Sequence, residues 1–296
     1  MKLLVLLLVL VIQRSFGSTP VNQPDHWFDR FCAWVNERIP GPAEASRLAV
    51  TVVIPAIVLW SLLRWLDNWL IIFVVDVTVL IYAVGVGRIR DSLTEFLVVW
   101  RTVTEHSDQS AKALEKANAI AVDQLGAEPM DHPTPGVLVQ SVQEGIILST
   151  FNRFFVTLFW YMVFGAAGAL LVRLTDRQVE QLGDPETPHL SRNLQSTIRW
   201  LPVRVHAIAL ALVGDFVRTF NQLMRDLVDF THANRFQMLN YAYLAQGSSL
   251  EQERSKDWSG EEFSAVEEQL QSVLQLVERG RLVWFIGVAL IVIIGW

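Results

Sequence analysis

Asp76 stands in the apolar run Phe73-Val74-Val75-Asp76-Val77, with Val79 and Leu80 just beyond. A carboxylate there, without a partner in lipid, costs several kcal/mol or takes up a proton. Two kinds of chemistry fit it: a packing salt bridge or protonated helix–helix hydrogen bond, or the handling of a ligand or a proton. Arg204 and His206, which interrupt the apolar stretch 200–216, are its expected intramembrane partners, with Arg153 at a span edge as another.

The other reactive groups exclude more than they suggest. His26, His106, His132, His189, His206 and His232 are scattered without a metal-ligand spacing, so no zinc site is expected. Cys32 is the single cysteine, which rules out an intrachain disulfide and a cysteine zinc site, and it reads as a buried or interfacial small residue. Neither G-x-S-x-G nor G-x-x-x-x-G-K-[ST] occurs, so no nucleophile elbow or phosphate loop is proposed. No catalytic residue, metal or cofactor is expected from these patterns.

The elements that must position Asp76 are oily. Residues 48–65, 69–87, 154–172 and 282–296 are too apolar and too long for a soluble core, and 200–216 is either a fifth crossing facing other helices, the favoured reading, or a re-entrant piece packed against protein. The fold class is therefore all-α: a polytopic membrane protein of four to five spans with amphipathic cytoplasmic helices, forming one integral membrane domain over 1–296. Residues 48–87 make a helical hairpin, because a turn as short as 66–68 cannot return across a bilayer. Arg30, Arg38, Arg47, Arg88 and Arg90 at its outer ends, against Arg64 at the turn, place those ends in the cytoplasm.

At the start, Lys2, the apolar run 3–12, Ser15 and Gly17 imitate a cleaved secretory signal, but Arg14 and Phe16 stand before the candidate cut. Residues 1–17 are read as a retained short membrane helix. Residues 88–153 form a polar cytoplasmic loop with some helix, on the stripe Ala111, Leu114, Ala117, Ile120 and Ala121. Residues 154–217 hold a span, a polar loop and the second apolar segment. Within that span Gly165, Gly168 and Ala169 offer a small surface for close helix approach. Trp60, Trp65, Trp69, Trp160, Trp200, Trp284 and Trp296 lie near span ends or turns and read as interfacial anchors.

Cytoplasmic helices follow over 218–281. Phe216, Phe220, Leu223, Leu227 and Phe230, then Phe236, Leu239 and Tyr243, predict one long amphipathic helix ending at Gln246-Gly247. Ser259 with Glu262 reads as a capping box and Trp258 with Phe263 as a hydrophobic staple, opening a helix that runs on into 282–296.

With 52% hydrophobic and 18% charged residues, the composition suits a membrane-embedded chain. A net charge of -6 and the absence of a basic stripe exclude nucleic acid as a partner and leave the lipid bilayer as the one legible partner.

The runs Phe151-Asn152-Arg153-Phe154-Phe155, Leu158-Phe159-Trp160, Gly165-Ala166-Ala167-Gly168-Ala169 and Trp200-Leu201-Pro202-Val203-Arg204-Val205 resemble the AmpE family. The resemblance covers most of the chain. It implies a multi-pass protein of the bacterial inner membrane, acting in the regulation of inducible β-lactamase and through it in cell-wall recycling. It also implies a functional link to a cytoplasmic amidase that trims anhydromuropeptides.

That family is in turn similar to the CobD/CbiB membrane enzymes, which join an aminopropanol unit to adenosylcobyric acid. Glu144 matches the first acid of their pattern, but later acidic positions fall on Leu148 and Asn152, their proline on Thr157, an asparagine–aspartate pair on Asp176 and Val179, and a pair of aspartates on Gln195 and Ser196. Joining an amine to a carboxylate with nucleotide assistance usually needs Mg²⁺, held by several carboxylate oxygens. The resemblance thus implies a kept framework, Trp200, Pro202 and Arg204, with the catalytic acids removed, and a regulatory role without catalysis. A diverged ligase using Glu144, Asn152 and Arg204, or a transporter of a cell-wall fragment using Asp76, are the alternatives.

Overall fold

The computed structural model describes residues 2–15, 25–39, 44–85, 89–105, 110–182, 189–227, 233–255 and 263–294. Helices fill them, and no strand occurs among the described residues. In chain order they are α1 (Lys2–Ser15), α2 (His26–Arg38), α3 (Glu44–Trp65), α4 (Trp69–Val84), α5 (Ile89–Glu105), α6 (Ser110–Ile120), α7 (Pro135–Phe164), α8 (Ala166–Glu180), α9 (Leu190–Val213), α10 (Phe216–Asp226), α11 (Asn234–Ala245), α12 (Leu250–Ser255) and α13 (Phe263–Ile293). Four segments are long and apolar enough to cross a membrane: Glu44–Trp65, Trp69–Val103, Pro135–Phe164 and Leu190–Val213.

Local chemistry sets the ends. Asn68 caps α4, its side chain accepting from the N–H of Leu70 at 3.0 Å, and Gly85 closes it at φ +77°. Inside α3, Pro55 has no N–H for the Thr51 carbonyl, and the helix widens into a π-helical turn over Ala49–Val53 just ahead of it. Trp65 and Trp69 flank the α3–α4 turn with 90% and 66% of their surface exposed, as interfacial anchors should.

Within the chain the helices group into two compact units. The first holds residues 1–15, 23–85 and 153–202, and the second 16–22, 86–152 and 203–296. In the first unit α8 packs on α3, α4 and the end of α7, and α1 lies on α4. Phe28, Cys32, Leu48, Val52 and Leu174 form a core cluster that joins α2, α3 and α8. In the second unit α5 pairs with α6, with Phe96 stacked on Trp100 at 5.7 Å, and α13 packs on α5 and the first half of α7.

Four expectations change. The apolar run 154–172 is not one straight span, because Gly165 at φ +68° ends α7 and α8 folds back along it. The loop expected over 88–153 is helical in α5, α6 and the start of α7, and buries Leu93, Phe96 and Trp100. The long helix expected from Phe216 to Tyr243 is divided into α10 and α11; Phe230 lies outside the described residues, whereas the expected end at Gly247 coincides with a φ of +85°. Helix α13 is continuous to Ile293 but is not among the four candidate spans, since Glu278, Arg279 and Arg281 leave only a short apolar run after them. The capping box Ser259/Glu262 with Trp258, and Trp296, lie outside the described residues.

Candidate functional site

Asp76 lies about midway along α4, roughly 10 Å from Trp69 at 1.5 Å per residue. It is buried, with 5% of its surface exposed. Its Oδ2 accepts from the Tyr161 hydroxyl at 3.0 Å, and the backbone N–H of Ala166 acts on the same carboxylate. Ala166 is the first residue of α8, whose leading N–H groups have no intrahelical acceptor. Across the break, the Lys2 ammonium donates to the Met162 carbonyl at 2.7 Å, near the end of α7 where carbonyls are the orphaned groups. An anion therefore meets the positive end of α8 and a cation the negative end of α7.

Gly168 permits the fold-back. A Cβ there would fall 2.8 Å from the Trp160 carbonyl carbon and closer still to its oxygen, so only glycine lets the two backbones touch. Ala169 beside it is fully buried. A Cβ on Gly165 would meet nothing within 4 Å, so this glycine serves through its positive φ instead of through packing. The apolar segment thus makes a helical hairpin whose turn sits beside the middle of α4, with Lys2 on the Met162 carbonyl and the Tyr161 hydroxyl tied to Asp76, the kind of polar cover that irregular backbone at membrane depth requires.

The other end of this hairpin is ionic. Asp25 and Arg173, each with 7% of its side chain exposed, pair at 2.8 Å, and Arg177 reaches the same carboxylate oxygen at 3.1 Å. Asp176 accepts from Arg199 and from Gln195, both at 2.8 Å. Arg153 lies in the π-helical turn Phe151–Val156 of α7, and its charged neighbours are Arg173, Arg177, Glu180 and Asp176. Asn152 is half-buried one residue earlier.

In the second unit Glu144 is buried and accepts from Arg254 Nη2 at 3.1 Å, with Arg235 at 3.5 Å, which ties α7 to α11 and α12. Close to this carboxylate, the Tyr243 hydroxyl of α11 holds its proton well above the usual phenol range, because burial disfavours the phenolate and Glu144 repels it. Arg204 donates to the carbonyls of Asp226 at 2.9 Å and Leu227 at 3.4 Å, the free carbonyls at the end of α10. The His206 Nδ1 accepts from the Trp284 indole at 3.0 Å, so its ring is the tautomer with the proton on Nε2, and Phe151 lies 5.7 Å away. Trp284 is thereby a buried donor and not an interfacial anchor.

In the first unit Asp76 has Tyr161 as its hydrogen-bond partner; within the second, Arg204 donates to the Asp226 carbonyl and His206 accepts from Trp284. Tyr161, Lys2, Asp25, Arg173 and Arg177 escape a reading of the sequence. An aromatic hydroxyl inside an oily run, or the Arg-x-x-x-Arg spacing 173/177 on one face of a helix, is the available signal. Among the described residues no group of three His, Cys, Asp or Glu side chains stands close enough to hold a metal ion.

Comparison with curated proteins and with solved structures gave no match. The family described as regulatory signalling modulator protein AmpE matches residues 1–295. With four apolar helices of membrane-crossing length and a fold built from helices throughout its described residues, the chain belongs to the AmpE family of regulatory membrane proteins.

Proposed function

We propose that this chain is an inner-membrane regulatory protein acting in β-lactamase induction and, through it, in peptidoglycan recycling, with no chemistry of its own. The family match over residues 1–295 carries the reading. The state of Glu144 supports it: the one acid that matches the ligase pattern is engaged by Arg254 and Arg235 of the protein itself. Asp76 is likewise committed to the turn between α7 and α8. A cytoplasmic amidase that trims anhydromuropeptides is the expected functional neighbour.

Deletion of the gene in its own host, followed by β-lactamase assay across a series of inducer concentrations, tests the reading. A shifted induction curve restored by the wild-type chain is expected. An unchanged curve and unchanged susceptibility would remove the regulatory reading, as would ATP consumption by the purified protein with a muropeptide or cobyric acid.

A further inference from the structure

Arg153 is the one guanidinium of its cluster that forms no ion pair within 4 Å among the described residues. Asp25 is shared by Arg173 and Arg177, Glu180 is paired with Arg177, and Asp176 with Arg199. No carboxylate of the described residues pairs with Arg153 within 4 Å; farther off, Arg173 and Arg177 oppose its charge, and Glu180 and Asp176, which favour it, are already paired with Arg177 and Arg199. A cation placed against like charges and half withdrawn from water is stabilised by an anion from outside the chain.

Its position limits what that anion is. Nη1 of Arg153 lies 3.5 Å from where a side chain on Gly85 would begin, and Gly85 terminates α4 at φ +77°. The α4 helix starts at the Asn68 turn and has run about 24 Å by then, which puts Arg153 at the level where the hydrocarbon ends and headgroups begin. The side chain also springs from a π-helical turn, a local widening that proteins often keep where a side chain must be aimed. A guanidinium fork with a second and third arginine beside it matches the tetrahedral oxygens of a phosphate.

We propose that Arg153, supported by Arg173 and Arg177, binds a phosphate group at the membrane surface of the first unit. The phosphate belongs either to an anionic phospholipid or to a soluble phosphorylated ligand.

The full-length protein, purified in detergent, separates the two sources. One arm measures retention of phosphatidylglycerol against phosphatidylcholine by native mass spectrometry after exchange into mixed micelles. The other measures the rise in unfolding temperature with inorganic phosphate and with pyrophosphate at constant ionic strength. Preferential, Arg153-dependent retention of phosphatidylglycerol identifies a lipid site, and Arg153-dependent stabilisation by phosphate or pyrophosphate identifies a soluble one. In whichever arm binds, Arg153→Gln should weaken binding by about tenfold or more, as expected for loss of a charge-assisted contact, and Arg153→Lys should recover part of it. The unliganded Arg153→Gln protein should unfold at the same or a higher temperature than wild type, since the substitution relieves repulsion from Arg173 and Arg177. The proposal is overturned if neither phosphate source binds in an Arg153-dependent way, or if Arg153→Gln lowers the unliganded unfolding temperature, which would mark Arg153 as a structural partner.

Discussion

The indole N–H of Trp160 donates to the backbone carbonyl of Ile198 at 2.9 Å. That carbonyl is the one Pro202, four residues on in α9, cannot reach, because proline has no N–H to complete the helical ladder. A tryptophan that the sequence suggests as an interfacial anchor therefore repairs a helix defect on a different element. Trp160→Phe keeps an aromatic ring and removes the donor, and should destabilise the protein by about 1–3 kcal/mol in denaturant unfolding in detergent. In a Pro202→Ala background, where residue 202 can bond Ile198 itself, the same substitution should cost much less. Equal costs in the two backgrounds would show that the indole does not substitute for the missing amide.

The pairing of Asp76 and Lys2 with the α7–α8 break makes a second case. Asp76→Asn keeps an acceptor for Tyr161, so it should fold and remain regulation-competent, whereas Asp76→Ala leaves the buried Tyr161 hydroxyl unsatisfied and should cost about 1–3 kcal/mol. Lys2→Met should be destabilising in the wild type through loss of its bond to the Met162 carbonyl. A β-lactamase induction curve that Asp76→Asn flattens while the folded yield is unchanged would return Asp76 to proton or ligand handling.

These two relationships mark where sequence reading ends. Hydropathy and length are local properties, so the oily segments, the end of α11 at Gly247 and the continuity of α13 are legible, as is the burial of Asp76 and of Cys32. The partner of Asp76 is 85 residues away and carries a hydroxyl on an otherwise apolar ring, which no periodicity reports. Gly165 and Gly168 read alike in an apolar run, as small residues for helix packing. Only backbone geometry separates them, one by its positive φ and the other by contact with Trp160. The core of α5 and α6 is hidden from a hydropathy reading because Leu93, Phe96 and Trp100 are diluted by exposed polar residues, and a surface helix buries only one stripe.

Because their roles differ, substitutions at Gly165 and Gly168 should differ in size. Gly165→Ala places a side chain in open space but in a backbone region that is almost reserved for glycine, a cost of about 1–3 kcal/mol. Gly168→Ala drives a methyl into the Trp160 carbonyl, so α8 must move off α7, which should lower folded yield far more strongly. Fluorescence-detected size exclusion of the two variants, expressed side by side, gives the ranking; a Gly165 variant worse than the Gly168 variant contradicts the geometry.

Cys32 supplies a pH test outside the spans. Burial against Phe28, Leu48, Val52 and Leu174 pushes its thiol up to about 11 from 9.0, with the Gln181 side chain working the other way and the Asp29 charge adding to the rise, while the thiol itself donates to Gln178 Oε1 at 3.5 Å. A raised value means the folded state favours the neutral thiol, so the stability it contributes is complete below pH 9 and declines as pH climbs toward 11. Near neutral pH the thiolate is a minute fraction, and the thiolate is the nucleophile. Maleimide labelling of the folded protein should therefore be slow at neutral pH, rise about tenfold for each pH unit up to the alkaline limit of folding, and become rapid at neutral pH once the chain is unfolded in SDS. Rapid labelling of the folded protein at neutral pH would mean that α2 does not pack Cys32 against α3 and α8, and the core cluster that joins those helices would have to be redrawn.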